Sequence, residues 1–179
     1  LIREEVQAVI PGFSDFNRRV RKPEDFVLPN GPRDGAHFTT DNAKAHFMVD
    51  QAPTWKLAEG EYLMMTIRTH DQFNTTIYGL DDRYRGIRNG RRVVLVNPDD
   101  ARVLGAAEGS YVDLVSEWKD GVERRANGFR VVHYPTARGC AAAYYPETNV
   151  LVPLDATADT SNTPASKSVV VRLEQSATD

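Results

Sequence analysis

The hydrophobic positions of the chain fall mostly in short runs, spaced for strands rather than helices. Glu61 to Thr69 is a mostly apolar run, the pattern of a buried strand. Val93 to Val96 is a second such run. Tyr111 to Trp118 alternates, with Val112, Leu114 and Ser116 on one face and Asp113, Val115 and Glu117 on the other. Lys119-Asp120-Gly121 carries an Asp-Gly turn signal, so Val122 to Val132 is predicted as the returning strand of a hairpin, with Gly128 at a bulge. Further strands are predicted over Ala43 to Val49, Cys140 to Tyr145, Asn149 to Leu154 and Lys167 to Leu173.

Helix signals are few. Asn97 suits an N-cap, Pro98 the first helical position, and Asp99 and Asp100 the positive end of the dipole, so a short helix should run to Leu104 and stop at Gly105. A second short helix is predicted over Asp81 to Arg88, and another over Leu1 to Ile10, ended by Pro11-Gly12. Lys22 to Gly35 is rich in Pro, Gly, Asn and Asp and reads as irregular chain. The polar stretch Ala156 to Ser168 reads as a long surface loop. The body is therefore mainly β, about seven strands with one or two short helices. It begins near Ala43, so 1–42 is a lead-in from a preceding part of a parent chain and 43–179 is the domain proper.

Composition narrows the picture. A chain of 179 residues fits one domain with a lead-in. A net charge of -3 gives no reason to expect nucleic acid or an anionic membrane as partner. No apolar run approaches the roughly 20 residues that span a bilayer, and no signal-peptide pattern opens the chain. The first residue is Leu, as expected of a piece of a longer protein. The single cysteine, Cys140, excludes an internal disulfide, suits a cytoplasmic setting and reads as a buried, inert thiol.

Candidate chemistry concentrates in Thr66 to Tyr78, TIRTHDQFNTTIY, where a buried strand runs into a cluster of polar side chains. Arg68 can fork onto a phosphate or carboxylate, and Gln72 and Asn74 offer donors and acceptors for a heterocycle edge. A loop capping its own backbone has the same composition, and chemistry alone leaves both readings open. Glu147, Thr148 and Asn149 stand where they can line the same pocket; Asn149 is equally a turn residue, and Lys167 a solvated charge. The four histidines, His37, His46, His70 and His133, lack the spacing of a metal site, so no metal centre built by the protein is expected. No G-x-S-x-G, P-loop or G-x-G-x-x-G motif is present.

Taken together and in order, these segments resemble the molybdopterin dinucleotide-binding domain at the C-terminus of formate dehydrogenases, nitrate reductases and dimethyl sulfoxide reductases. The likeness rests on Thr66, Arg68, Gln72 and Phe73; on Asn97, Pro98, Asp100, Ala101, Leu104 and Gly105; on Gly109, Val112 and Leu114; and on Asn149, Leu151, Pro164 and Lys167. It spans roughly Ala43 to Glu174, and TIRTHDQFNTTIYGLDDRYRGI looks like the formate-dehydrogenase-like branch. The resemblance implies a six-stranded double-psi β-barrel that binds molybdopterin guanine dinucleotide through Thr66, Arg68, His70, Gln72, Phe73, Asn74, Thr75, Glu147, Asn149 and Lys167. It implies no catalytic residue in this chain, a metal ligand from elsewhere in the parent chain, and that parent chain and the dinucleotide as partners. The alternative is a free-standing double-psi barrel that binds other proteins without cofactor; the polar cluster from Arg68 to Thr75 favours the first reading.

Overall fold

Six strands close into a barrel in the computed structural model, which describes residues 1–21, 26–72 and 79–176. They are β1 (Glu61–Ile67), β2 (Val93–Val96), β3 (Tyr111–Glu117), β4 (Glu123–His133), β5 (Cys140–Tyr144) and β6 (Val169–Gln175). The order around the barrel is β1-β5-β2-β4-β3-β6, and β1 pairs with β6 to complete the ring. Two pairs are parallel, β1 with β5 and β2 with β4; the others are antiparallel. The mainly β class is the one that the pattern predicts, and the closed six-stranded barrel is the one that the family resemblance implies; the count of about seven strands read from the pattern is one too many.

The chain divides into two compact units, 1–53 and 54–179. The first contains α1 (Ile2–Val9), α2 (Phe16–Arg19) and α3 (Gly31–Gly35). Its small aromatic cluster sets Phe13, Phe16 and Phe26 edge to face, with Arg19 over the Phe26 ring at 3.9 Å. Helix α3 falls within the stretch read as irregular, because Asn30 caps it by accepting from Arg33 N at 3.0 Å.

In the barrel unit, alternation does its expected work. Met64, Val94, Val96, Val112, Leu114, Phe129, Val131, Ala143, Val171 and Leu173 point inward and form the core. Gly128, at φ +68°, makes the anticipated bulge, and its N–H donates to Asp113 Oδ1 at 2.9 Å. Helix α4 (Pro98–Leu104) starts at Asn97, whose Oδ1 accepts from Asp99 N at 2.9 Å, and ends at Gly105 in the left-handed region. Buried Asp100 ties α4 to the start of β5, accepting from Gly139 N at 2.7 Å and Arg138 Nε at 3.1 Å.

Three predicted elements are different. Ala43 to Val49 forms no strand and lies exposed: Phe47 and Val49 are each 95% exposed. Asn149 to Leu154 begins as a 3-10 turn (Asn149–Leu151) after the short α5 (Tyr145–Thr148). Asp81 to Arg88 is a turn closed by an isolated bridge between Asp82 and Ile87, not a helix. That turn has a structural purpose. Strand β2 is buried on both faces, and Ile87 covers its outer side with Ile67, Val93, Leu95, Val132, Ala142 and Tyr144 in a second cluster. The 79–90 segment is thereby fixed beside the carboxyl ends of β1 and β5.

Candidate functional site

The parallel pairing of β1 and β5 sets Thr66 beside Ala143 and Ile67 beside Tyr144, so both strands deliver their carboxyl ends to one place. Strand β2 runs antiparallel to β5 and brings the residues before Val93 to the same end. The segment after β1 (Arg68 to Gln72), Arg91 just before β2, and Tyr145 and Glu147 just after β5 consequently meet at one mouth of the barrel.

Arg91, 7% exposed, is the centre of this cluster. Its Nε donates to Glu147 Oε1 at 2.8 Å, Nη2 reaches Gln72 Oε1 at 3.5 Å, and its guanidinium lies 4.6 Å over the Tyr144 ring. Gln72, also buried, donates from Nε2 to the Tyr145 hydroxyl at 3.4 Å. The second oxygen of Glu147 is buried with no hydrogen-bond partner among the described residues. On the opposite flank of β1, the Lys167 ammonium donates to the Thr66 carbonyl and lies 3.5 Å from Thr66 Oγ1.

A second hub lies beside the first. Asp82, 1% exposed, accepts at Oδ2 from the Tyr144 hydroxyl at 2.8 Å and from Arg85 Nη1 at 2.5 Å, and at Oδ1 faces His70 Nδ1 at 3.2 Å. Burial acts to push this carboxyl up, but the bonds from Tyr144, Arg85 and His70 outweigh it and hold it below the usual carboxylate range. The Tyr144 phenol moves the other way, raised by burial and then by its bond to Asp82, and stays a neutral donor.

The structure divides the sequence-predicted residues into three groups. Thr66, Gln72, Glu147 and Lys167 join these contacts directly. Arg68 and His70 touch the second hub only, Arg68 through its carbonyl and His70 through its ring, and Asn149 stands apart from both. Arg68 is exposed, its guanidinium 6.0 Å from the centre of the Tyr145 ring. His70 is turned toward Asp82, with its ring 4.6 Å from that of Tyr84. Asn149 starts the 3-10 turn just past α5, exposed, outside the hydrogen-bonded cluster of the described residues. Phe73, Asn74 and Thr75 lie outside the described residues. Sequence reasoning passed over Arg91, Tyr144, Tyr145, Asp82 and Arg85. The available signals were an aromatic pair at a strand end, Tyr144-Tyr145, and the run of arginines from Arg83 to Arg92.

Charge pairing sorts the cations of the mouth. Arg83 meets Asp71 at 3.5 Å, Arg85 meets Asp82 and Arg91 meets Glu147. Among the described residues Arg68 and Lys167 form no ion pair with a carboxylate. Among the same residues, no group of three or more His, Cys, Asp or Glu is placed to hold a metal ion. Elsewhere in the barrel unit, a cavity of about 440 Å³ between Trp55, Trp118, Leu151 and Val169 is lined by none of the predicted site residues that are among the described ones. A second, of about 360 Å³, opens between Met65, half-buried Cys140 and Lys167, so the thiol is less enclosed than its sequence context indicates. No helix of the described residues is long and apolar enough to cross a membrane.

Comparison with known proteins places the chain in a family. The family model described as "Molydopterin dinucleotide binding domain" matches residues 62–170. The chain is 54% identical over 180 residues to the uncharacterized oxidoreductase Rv2900c of Mycobacterium tuberculosis (strain ATCC 25618 / H37Rv), covering 98% of this chain and 23% of that protein. It is 37% identical over 181 residues to protein YdeP of Escherichia coli (strain K12), covering 98% of this chain and 24% of that protein. The chain thus spans about a quarter of the length of the curated relatives it matches.

Proposed function

The chain belongs to the molybdopterin dinucleotide binding domain family, and from that premise we propose that its Arg68 mouth holds the molybdopterin guanine dinucleotide of a formate-dehydrogenase-like, molybdenum-dependent oxidoreductase. The observation that carries this reading is the charge pairing at the mouth. Three arginines are matched to carboxylates, while among the described residues Arg68 and Lys167 meet no carboxylate and have charge to offer an anion from outside. A guanidinium suits a pyrophosphate by its forked donors, and a nearby ammonium adds a point charge.

The remaining polar groups fit the rest of such a ligand. The Gln72 amide offers both a donor and an acceptor to a heterocycle edge, and the orphaned Glu147 oxygen is an acceptor in need of an N–H. When bound, the cofactor's molybdenum supplies the redox chemistry, and the residues of this chain supply binding and orientation. Thr66, Arg68, His70, Gln72, Phe73, Asn74, Thr75, Glu147, Asn149 and Lys167 are the proposed contacts. The metal ligand and the substrate pocket belong to the rest of the parent chain in this reading. The name of Rv2900c supports an oxidoreductase; the formate-dehydrogenase-like character rests on the likeness of TIRTHDQFNTTIYGLDDRYRGI alone. A cytoplasmic setting is part of the same proposal, supported by the free thiol of Cys140.

The test is Arg68→Ala in the full-length protein, with molybdenum and released pterin measured per polypeptide. A charge-assisted hydrogen bond contributes about 1.5–3 kcal/mol, so occupancy under limiting cofactor should fall by about tenfold or more. Arg68 is exposed, so the melting temperature should stay within about 2 °C. Full pterin content in the variant would remove the assignment.

A further inference from the structure

We propose that Arg85 is a positioning residue for Arg68, holding the end of β1 in the geometry that receives the ligand's anion. The inference rests on the reading of Arg68 given above. The β1–β5 register ends at Ile67 and Tyr144, so Arg68 is the first residue beyond it. Its carbonyl accepts from Arg85 Nη1 at 3.0 Å, and the same nitrogen donates to Asp82 Oδ2 at 2.5 Å. Arg85 therefore bridges a main-chain oxygen of the ligand-facing segment and a buried carboxylate.

That carboxylate is a firm anchor. Asp82 receives the Tyr144 hydroxyl from the end of β5 and faces the His70 ring, so three side chains fix its two oxygens. Its backbone is pinned too: Asp82 and Ile87 exchange N–H···O bonds of 2.9 and 3.0 Å, and Ile87 is 2% exposed in the outer cluster. Arg85 sits inside this closed turn, with its own N–H donating to the Asp82 carbonyl at 3.1 Å. A guanidinium held by a rigid turn and a buried carboxylate has few other directions to point. The result is a relay from core to rim: Ile87 and Tyr144 hold Asp82, Asp82 holds Arg85, and Arg85 holds Arg68. No step of it requires Arg85 to touch the ligand.

The experiment uses the full-length, cofactor-loaded protein. The probe is the release rate of pterin, read as fluorescence of its oxidised form after filtration, beside the melting temperature. Arg85→Met keeps most of the apolar stem and loses the donors. Release should accelerate roughly tenfold, the lower end of what a charge-assisted bond transmits; the melting temperature should fall by several degrees because buried Asp82 loses its cation, so release is compared well below the transition of either protein. Arg85→Lys, which keeps one cationic donor, should recover release to within about threefold of the wild-type rate, a rescue that loss of bulk packing does not produce. Should Arg85→Met fold poorly, Arg85→Leu, which also lacks any donor, carries the same comparison. Wild-type release from Arg85→Met, with accelerated release from Arg68→Ala, would overturn the relay and leave the cofactor site standing. Wild-type release from Arg68→Ala itself would remove both.

Discussion

Replacing Tyr144 by Phe deletes one hydroxyl from the Asp82 hub and leaves the ring in place. Tyr144 is fully buried and its hydroxyl donates to Asp82 Oδ2 at 2.8 Å. A hydrogen bond to a charged group contributes about 1.5–3 kcal/mol. Asp82 keeps Arg85 and His70 in the variant, and the Arg91 guanidinium keeps an aromatic face at 4.6 Å, so the loss should lie near 2 kcal/mol. For a protein of this size that corresponds to roughly 4–8 °C in melting temperature. The effect has a pH signature. Asp82 titrates below its ordinary value in the fold, so its contribution is present above the unfolded value near ~3.9 and is lost as pH falls through the lower folded value. The variant lacks one of the bonds that lower it. The stability gap between the two proteins should thus be full at about pH 7 and narrow in acid. Urea unfolding of both proteins, repeated from neutral to acidic pH, measures it. A gap below about 0.5 kcal/mol at neutral pH, or one that widens in acid, would refute the reasoning.

Two further outcomes are expected. Arg91→Met leaves Glu147 as a largely buried, uncompensated charge and should cost about 3–5 kcal/mol, while Arg91→Met combined with Glu147→Gln should recover at least half of that; equal losses in single and double variants by urea titration would count against a coupled pair. The 179-residue chain alone should show no formate-dependent reduction of an artificial electron acceptor, and turnover above the blank in a dye-reduction assay would show that it holds more of the machinery than proposed.

The fold was legible where local pattern and global position agree. The run at Glu61, the alternation from Tyr111 and the capped start at Asn97 each have a local cause, and each formed as predicted. The failures are places where tertiary context decides. Ala43 to Val49 has strand composition, but it belongs to the first compact unit, whose described residues form no strand for it to pair with. Asn149 to Leu154 is apolar enough for a strand, yet the chain turns there to bury Leu151, whose carbonyl accepts from Ser116 Oγ at 2.8 Å. Asp81 to Arg88 looked like a helix because its turn chemistry, closed between Asp82 and Ile87, has no local signature. In the site, Arg68 and Gln72 stood out because they come directly after a strand. Arg91 and Glu147 are 56 residues apart, and nothing in either segment announces that an antiparallel β2–β5 pair will join them. Surface-like arginines and a half-buried glutamate become a buried pair only once the barrel closes.

The order of strands around the ring also sets a schedule for synthesis. Strand β1 is the first to leave the ribosome, and its two neighbours, β5 and β6, are the last. Until Cys140 and the residues after it emerge, the apolar segment Glu61–Ile67 has both edges open and nothing to pair with. Nonlocal pairing of this kind slows folding, and open apolar strands invite misassembly meanwhile. Of the six strands, β1 therefore waits longest for its partners, and a chaperone that shields it covers the interval in which its apolar edges stand open.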